Sequence, residues 1–324
     1  MNPERSYRSL SVVVPGYNEA KAIKPVIEEL DGVLRSLQSL KCEIIVVDDG
    51  SKDGTAESAL SAAHTVPLKV IRFSRNFGKE AAMTAGLEAA TGDAVVIMDS
   101  DGQHPPSYIP EFVKHWREGY DVVYAKRASR ATDSWLRRTL SKLYYKIAFS
   151  GTVFIEPDAG DFRLISTPVV KALLSLPEKN RFMKGLFNWV GFKKYAVDYT
   201  PRTRVAGETK FGNILHLFRF GLLGIMSFSN IPLRMISRLG FFVAASSVLY
   251  GMYIAVRTLF FGVDVPGWAT LTVAVTLLSG IQLISIGVLG EYIGLIFTEV
   301  KNRPLYIVEK VTQQQGTAQQ REAA

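Results

Sequence analysis

Short apolar runs, each stopped by a polar, glycine-containing or acidic loop, set the pattern of the first third of the chain. Leu10 to Pro15 reads as a buried strand and Gly16-Tyr17-Asn18-Glu19 as its loop, followed by a helical pattern from about Ala22 to Leu37. Cys42 to Val47 is a second strand closed by Asp48-Asp49-Gly50-Ser51-Lys52-Asp53-Gly54-Thr55, where a helix begins that ends before Pro67. Leu68 to Phe73 is a third strand, followed by Ser74-Arg75-Asn76-Phe77-Gly78-Lys79 and a helix through Ala90. Ala94 to Met98 is a fourth, delivering Asp99 and Asp101 to a loop that Pro105 and Pro106 keep irregular. Strands alternating with helices imply right-handed crossovers and a mostly parallel α/β sheet. Beyond it, Ser107 to Gly119 is helical and Asp121 to Ala125 resembles another strand, ending at Lys126-Arg127. Asp133 to Phe149 has the pattern of a basic, aromatic helix.

The second half changes character. Asn213 to Phe228 is apolar but interrupted by His216 and Arg219, as for a helix lying in a membrane interface. Leu239 to Val256 and Val265 to Gly290 carry no charge, and each reaches the roughly 18 to 20 residues needed to cross a bilayer. They form a two-helix hairpin, with Tyr250, Tyr253 and Trp268 available as interfacial anchors. The expected organisation is a catalytic domain over residues 1–210, interfacial helices over 211–232, and a hairpin over 233–300 with spans near 239–260 and 267–291. A tail over 301–324 is expected to be disordered beyond Lys310. Arg234 and Arg238 before the first span, with Lys301 and Arg303 after the second, place both termini and the catalytic domain in the cytoplasm by the positive-inside rule.

Composition agrees with this division. A hydrophobic share of 48% beside 21% charged residues requires the apolar residues to be concentrated somewhere. The formal charge of +8 suits an anionic membrane surface or a phosphorylated substrate. Nothing supports nucleic acid: there is no zinc-ligand pattern, recognition helix or basic run interleaved with aromatics. The single Cys42 excludes an intrachain disulfide and reads as a small buried residue. Met1 to Ser9 is polar and leads straight into a strand, so no cleavable signal peptide is expected.

Loops that follow parallel strands share one edge of the sheet, where such sheets bind ligands. Asp99-x-Asp101 there supplies oxygen ligands suited to Mg²⁺ or Mn²⁺ on a diphosphate. Tyr17 would lie against a base and Asp48 would accept from base or ribose. Taken singly, these are an acidic turn and a helix-capping turn; their order along successive strand ends sets them apart. No Walker lysine motif or Gly-x-Gly-x-x-Gly is present. Arg137 and Ser141, four apart on one helical face, suit a second phosphate or a solvated basic face. Asp158 or Asp161 either approaches the acceptor or belongs to a structural turn, in a segment, Glu156 to Arg163, that reads as an acid-rich loop. Arg204 and Lys210 flank Gly207, as in a mobile loop closing cations over a leaving diphosphate.

The series Pro15-x-Tyr17-Asn18-Glu19, Asp48-Asp49-Gly50-Ser51-x-Asp53-x-Thr55, Arg75-Asn76-x-Gly78-Lys79 and Asp99-x-Asp101-x-Gln103-His104-Pro105-Pro106 resembles glycosyltransferase family 2. Within it, the chain looks most like the polyprenyl-phosphate glycosyltransferases, dolichyl-phosphate mannosyl- and undecaprenyl-phosphate glucosyltransferases among them. The resemblance implies a GT-A, Rossmann-like domain. It puts Pro15, Tyr17, Glu19, Asp48, Lys79 and Asp99 on the nucleotide-sugar and Asp99, Asp101 and Gln103 around Mg²⁺ or Mn²⁺. It also puts Arg127, Arg137 and Ser141 on the lipid phosphate, with catalytic roles for Asp101, Asp158, Arg204 and Lys210. Gly102 departs from the family, where many relatives carry a larger apolar residue. The implied reaction is inverting transfer of a sugar from a nucleoside diphosphate to polyprenyl phosphate at the inner membrane. UDP-glucose is the favoured donor; mannose, an arabinose derivative or N-acetylhexosamine are alternatives. A processive synthase would carry Gln-x-x-Arg-Trp, which is absent; a non-catalytic nucleotide-binding membrane scaffold is the reading from another class. Small residues such as Gly251 and Gly287 would let hairpins pack into a homo-oligomer.

Overall fold

The computed structural model describes residues 7–127, 159–202, 231–262 and 267–316. Strands β1 (Ser9–Gly16), β2 (Lys41–Asp48), β3 (Leu68–Phe73) and β4 (Ala94–Ile97) alternate with helices α1 (Ala20–Ser36), α2 (Thr55–Leu60) and α3 (Lys79–Ala89), as the apolar runs predict. Alternate residues of β1 feed two cores. Val12 and Val14 face Ile23, Leu30, Phe112 and Trp116, while Val13 faces Met83, Leu87, Leu186 and Phe187. Burial on both faces is why these strands read as unbroken apolar runs instead of alternating ones.

A short 3₁₀ turn (Pro106–Tyr108) leads into α4 (Ile109–Arg117), and β5 (Val122–Arg127) follows. The expectation of a loop over Glu156 to Arg163 is corrected from Ala159 onward: β6 (Ala159–Ser166) is a strand running antiparallel to both β4 and β5. Its period-2 pattern alternates buried Phe162 and Leu164 with Asp161 and Arg163 on the other face. Helices α5 (Thr167–Leu174) and α6 (Met183–Trp189) and strand β7 (Lys194–Tyr199), parallel to β5, complete this half, and sequence reading assigned none of the three.

The order across the eight-stranded sheet is β7-β5-β6-β4-β1-β2-β3-β8. Strand β1 has β2 on one side and β4 on the other, both parallel to it. The chain therefore reverses its direction of travel across the sheet at β1, and the carboxyl ends of β1 and β4 open into the crevice where such folds bind ligands.

Two long helices follow, α7 (Ile231–Phe261) and α8 (Trp268–Val300). Both contain stretches long and apolar enough to cross a membrane, Pro232–Ile254 and Val273–Val300, and neither stretch is buried in the protein. Large side chains such as Phe241, Leu249, Leu277 and Ile284 stand exposed along them, which water would penalise and lipid would not.

The expected disorder beyond Lys310 is corrected as far as Gln314; residues 317–324 lie outside the described residues. Residues Val308–Gln314 form β8, antiparallel to β3 at the edge of the sheet. The segment between α8 and β8 is tied down along its length. Glu299 accepts from the backbone N–H groups of Lys179 and Asn180 at 3.0 Å, Tyr306 stacks on Phe73 with ring centroids 4.7 Å apart, and Ser74 N–H donates to the Ile307 carbonyl at 3.0 Å.

Candidate active site

The loops at the carboxyl ends of the strands are stitched to each other by backbone-to-side-chain hydrogen bonds. From the loop after β1, Asn18 N–H donates to Ser51 Oγ and Glu19 N–H to Thr55 Oγ1, both at 2.9 Å, while Ala20 N–H donates to Asp53 at 3.0 Å. Asn18 returns the contact by accepting from Lys52 N–H at 3.0 Å, and it takes a left-handed backbone, φ 52°, to do so. The Asp48-to-Thr55 turn is thus both a helix start for α2 and the frame that holds Asn18 and Glu19. The next loop is fastened by Asp49, which accepts from Phe77 N–H at 2.6 Å and Gly78 N–H at 2.9 Å. Gly50, at φ +68°, passes so close that a Cβ would stand 2.3 Å from the Arg75 carbonyl carbon.

Asp48 is 1% exposed. One oxygen accepts from Ser51 N–H at 3.0 Å; the other, Oδ2, has no hydrogen-bond partner and lies 3.8 Å from the Arg72 guanidinium. Burial raises its carboxyl above the ordinary range, with Ser51 and Arg72 opposing. Between Tyr17, Ser51, Arg72, Arg75 and Glu309 lies a cavity of about 480 Å³; of the residues expected on the nucleotide-sugar, Tyr17 lines it and Pro15, Glu19, Asp48, Lys79 and Asp99 do not.

At the end of β4, Asp101 is buried and accepts from Gln103 N–H at 3.0 Å. Asp99 is held differently. Its backbone N–H donates to His104 Nδ1 at 2.9 Å, and the His104 ring stacks on Phe162 with centroids 5.0 Å apart. Burial, outweighing the nearby carboxylates, lowers the His104 pKa, which suits a neutral ring accepting at Nδ1 and carrying its proton on Nε2. Sequence reading left His104 without a role; a histidine five residues after the acid it positions was the available signal.

Lys79, at the first turn of α3, places its Nζ 2.6 Å from Asp99 and 2.7 Å from Asp161. Burial opposes its charge, yet the two carboxylates raise its pKa and keep it an ammonium. For Asp161 burial likewise works toward neutrality and is overcome, chiefly by Lys79, so the carboxyl is held below the usual range. Next to this pair Glu80 is pushed up to about 7, first by burial and then by the negative Asp161. One Glu80 oxygen accepts from Met183 N–H at 3.4 Å while Oε2 is buried without a partner.

Asp99, Asp101 and Gln103 share the loop after β4, and Lys79 reaches it. Among the described residues no cluster of three or more His, Cys, Asp or Glu suits a metal ion. Two carboxylates and an amide nevertheless fit a hard divalent ion of the kind that takes one or two carboxylates and draws its remaining ligands from substrate phosphates and water. Pro15 is buried in β1, and Arg127 ends β5, exposed and interacting with the hydroxyl of Tyr199. Asp158, Arg137, Ser141, Arg204 and Lys210 lie outside the described residues, as does the interfacial segment over 211–230.

Residues 11–173 match glycosyl transferase family 2. The chain is 45% identical over 301 residues to a glycosyltransferase of Synechocystis sp. described as uncharacterized, covering 92% of this chain and 94% of that one. It is 46% identical over 303 residues to the SfII prophage-derived bactoprenol glucosyl transferase of Shigella flexneri, covering 93% and 97%. It is also 43% identical over 304 residues to a prophage bactoprenol glucosyl transferase homolog of Escherichia coli K12, covering 93% and 99%.

Proposed function

This chain belongs to glycosyltransferase family 2, and from that premise we propose that it is a membrane-bound inverting enzyme that moves glucose from UDP-glucose to polyprenyl phosphate. The observation that carries the reading is that the acids Asp48, Asp99 and Asp101 stand at or just beyond strand ends of the same sheet that β8, the strand after two apolar helices, completes. A nucleotide-sugar site tethered beside a bilayer suits an acceptor that lives in it. The bactoprenol glucosyl transferases of Shigella flexneri and its phages, similar over more than nine-tenths of the chain, support the glucose and the lipid carrier.

The chemistry needs little beyond placement and charge. An acceptor phosphate oxygen attacks the anomeric carbon, the bond from that carbon to the donor's diphosphate breaks, and the diphosphate leaves with the electron pair. A phosphate monoester has a second pKa near 6 and is largely ionised at neutral pH, so no strong general base is required. Asp158 then orients the acceptor instead of deprotonating it. Asp48 would accept from the nucleoside, with Tyr17 on the wall of the adjoining cavity and Glu19 in the same loop, whose Asn18 and Glu19 N–H groups are fixed by Ser51 and Thr55. Asp99, Asp101 and Gln103 would hold Mg²⁺ or Mn²⁺, which when bound supplies positive charge to the departing diphosphate. Lys79 stands next to that group, and Arg204 and Lys210 add cations from their loop. Arg127, Arg137 and Ser141 would take the lipid phosphate.

The sheet also bears on topology. Strand β8 follows both apolar helices and pairs with β3, which precedes them, so the hairpin returns the chain to the side it left. With the positive-inside rule, that side is the cytoplasm and the membrane is the inner membrane.

The test is transfer by the purified full-length chain in detergent, with Mg²⁺ or Mn²⁺, labelled UDP-glucose and polyprenyl phosphate. Labelled lipid is expected from wild type, and Asp101→Ala should lose it. No transfer from UDP-glucose would overturn the donor assignment, and undiminished transfer by the variant would overturn the role given to Asp101.

A further inference from the structure

The C-terminal strand does more than cap a sheet edge. Glu309, in β8, borders the cavity that Tyr17, Ser51, Arg72 and Arg75 also line. Its Oε2 lies 3.3 Å from Arg72 Nε, the nitrogen that stands 3.8 Å from the unpartnered Oδ2 of Asp48. Glu57 holds the far end of the guanidinium at 3.0 Å, and Arg72 Nη2 donates to the Ser51 carbonyl at 3.4 Å. Arg72, 34% exposed at its side chain, thus covers Asp48, 1% exposed, and its Nε is contested by two carboxylates that come from opposite ends of the chain.

That contest has a consequence for a ligand. If Arg72 settles on Asp48, it uses the acceptor that a nucleoside's N–H or O–H groups need. We propose that β8 forms one wall of the donor pocket and that Glu309 is a positioning residue for the nucleotide. It draws Arg72 off Asp48 and so leaves Oδ2, buried beneath the guanidinium, without a hydrogen bond that a nucleoside would have to displace. The proposal rests on the donor reading above and adds to it a residue from beyond the hairpin. The anchoring of the segment supports it: Tyr306 stacked on Phe73 and Ser74 bonded to Ile307 fix the β8 entry directly on two pocket-lining residues.

The full-length chain in detergent is titrated with UDP in the presence of Mg²⁺ by calorimetry, and its donor and acceptor kinetics are measured. Glu309→Ala should raise the UDP dissociation constant and the UDP-glucose KM about fivefold, as expected for an exposed ion pair, while kcat and the polyprenyl-phosphate KM stay as in wild type. Glu309→Gln, which keeps an acceptor but loses the charge, should fall between. In an Arg72→Ala background, Glu309→Ala should have no further effect, because the residue acts through Arg72. Wild-type chain that does not bind UDP would overturn the donor reading and this proposal together. Wild-type binding with Glu309→Ala and Glu309→Gln unchanged, or an equal loss with and without Arg72, would overturn this proposal alone. A matched melting temperature for Glu309→Gln separates either result from misfolding.

Discussion

Lys79 lies between two carboxylates, and only one of them, Asp99, is proposed as a metal ligand. With Nζ 2.6 Å from Asp99 and 2.7 Å from Asp161, the ammonium is shared nearly equally. A divalent ion bound by Asp99 would leave Lys79 to Asp161, which is 13% exposed at its side chain and so would retain most of its strength as a partner. Replacing Asp161 with Asn removes that alternative. The ammonium then falls wholly to Asp99 and competes with the ion for it. A charge-assisted hydrogen bond is worth about 1.5 to 3 kcal/mol, so the ion concentration at half-maximal activity should rise roughly 10- to 150-fold. The assay is sugar transfer by the full-length protein titrated with Mg²⁺ or Mn²⁺. At saturating ion much of the activity should return, because the defect is competition. Lys79→Met combined with Asp161→Asn should restore a near-normal half-saturation, whatever it does to the maximal rate. An Asp161→Asn protein that melts like wild type and shows an unchanged ion requirement would refute this account of the cluster.

Two further outcomes follow from the same region. Glu80 titrates near 7 when folded against 4.5 ordinarily, so the native state holds its proton longer than the unfolded chain. Stability contributed by this group is therefore full below about 4.5 and declines as pH rises to about 7, by up to about 3 kcal/mol. Glu80→Gln should flatten that decline and raise the melting temperature at pH 8 but not at pH 4.5; parallel melting curves across the range would refute it. Gly50→Ala should destabilise by about 2 to 4 kcal/mol, since the residue must take a left-handed backbone and a Cβ would collide with the Arg75 backbone. Denaturation of Gly50→Ala at wild-type midpoint would contradict that geometry.

The four leading strands and the two apolar helices were legible because each carries its signal locally. Runs such as Val12 to Val14 are buried on both faces, and long apolar stretches without charge, such as Leu239 to Val256, need no partner to be recognised. Asp48, Asp99 and Asp101 were legible as strand-end acids for the same reason. What escaped were features decided by distant residues. Strand β6 places Asp161 and Arg163 within a strand, and the charges read as loop until Lys79 and the ring of Phe187, 3.9 Å from the Arg163 guanidinium, are brought to them. Strand β8 reads as a polar tail because an edge strand buries little, and its partners on β3 supply the order. The Gln-rich composition was a true statement about exposure and a misleading one about structure. The competition for Arg72 could not be seen either, since Glu57, Asp48 and Glu309 meet it from three separate segments.

Strand order also sets a timetable for biosynthesis. While the ribosome is still making the hairpin, β3 is an open edge, with its backbone groups from Leu68 to Phe73 waiting for a partner that is encoded last. Leu68 finds Gln314 only after both apolar helices have been translated. A nascent chain stalled before Val308 carries an unpaired sheet edge, which is a template for association with other chains. Because β8 lies beyond both apolar helices, the sheet is completed only when those helices leave Gln314 within reach of Leu68.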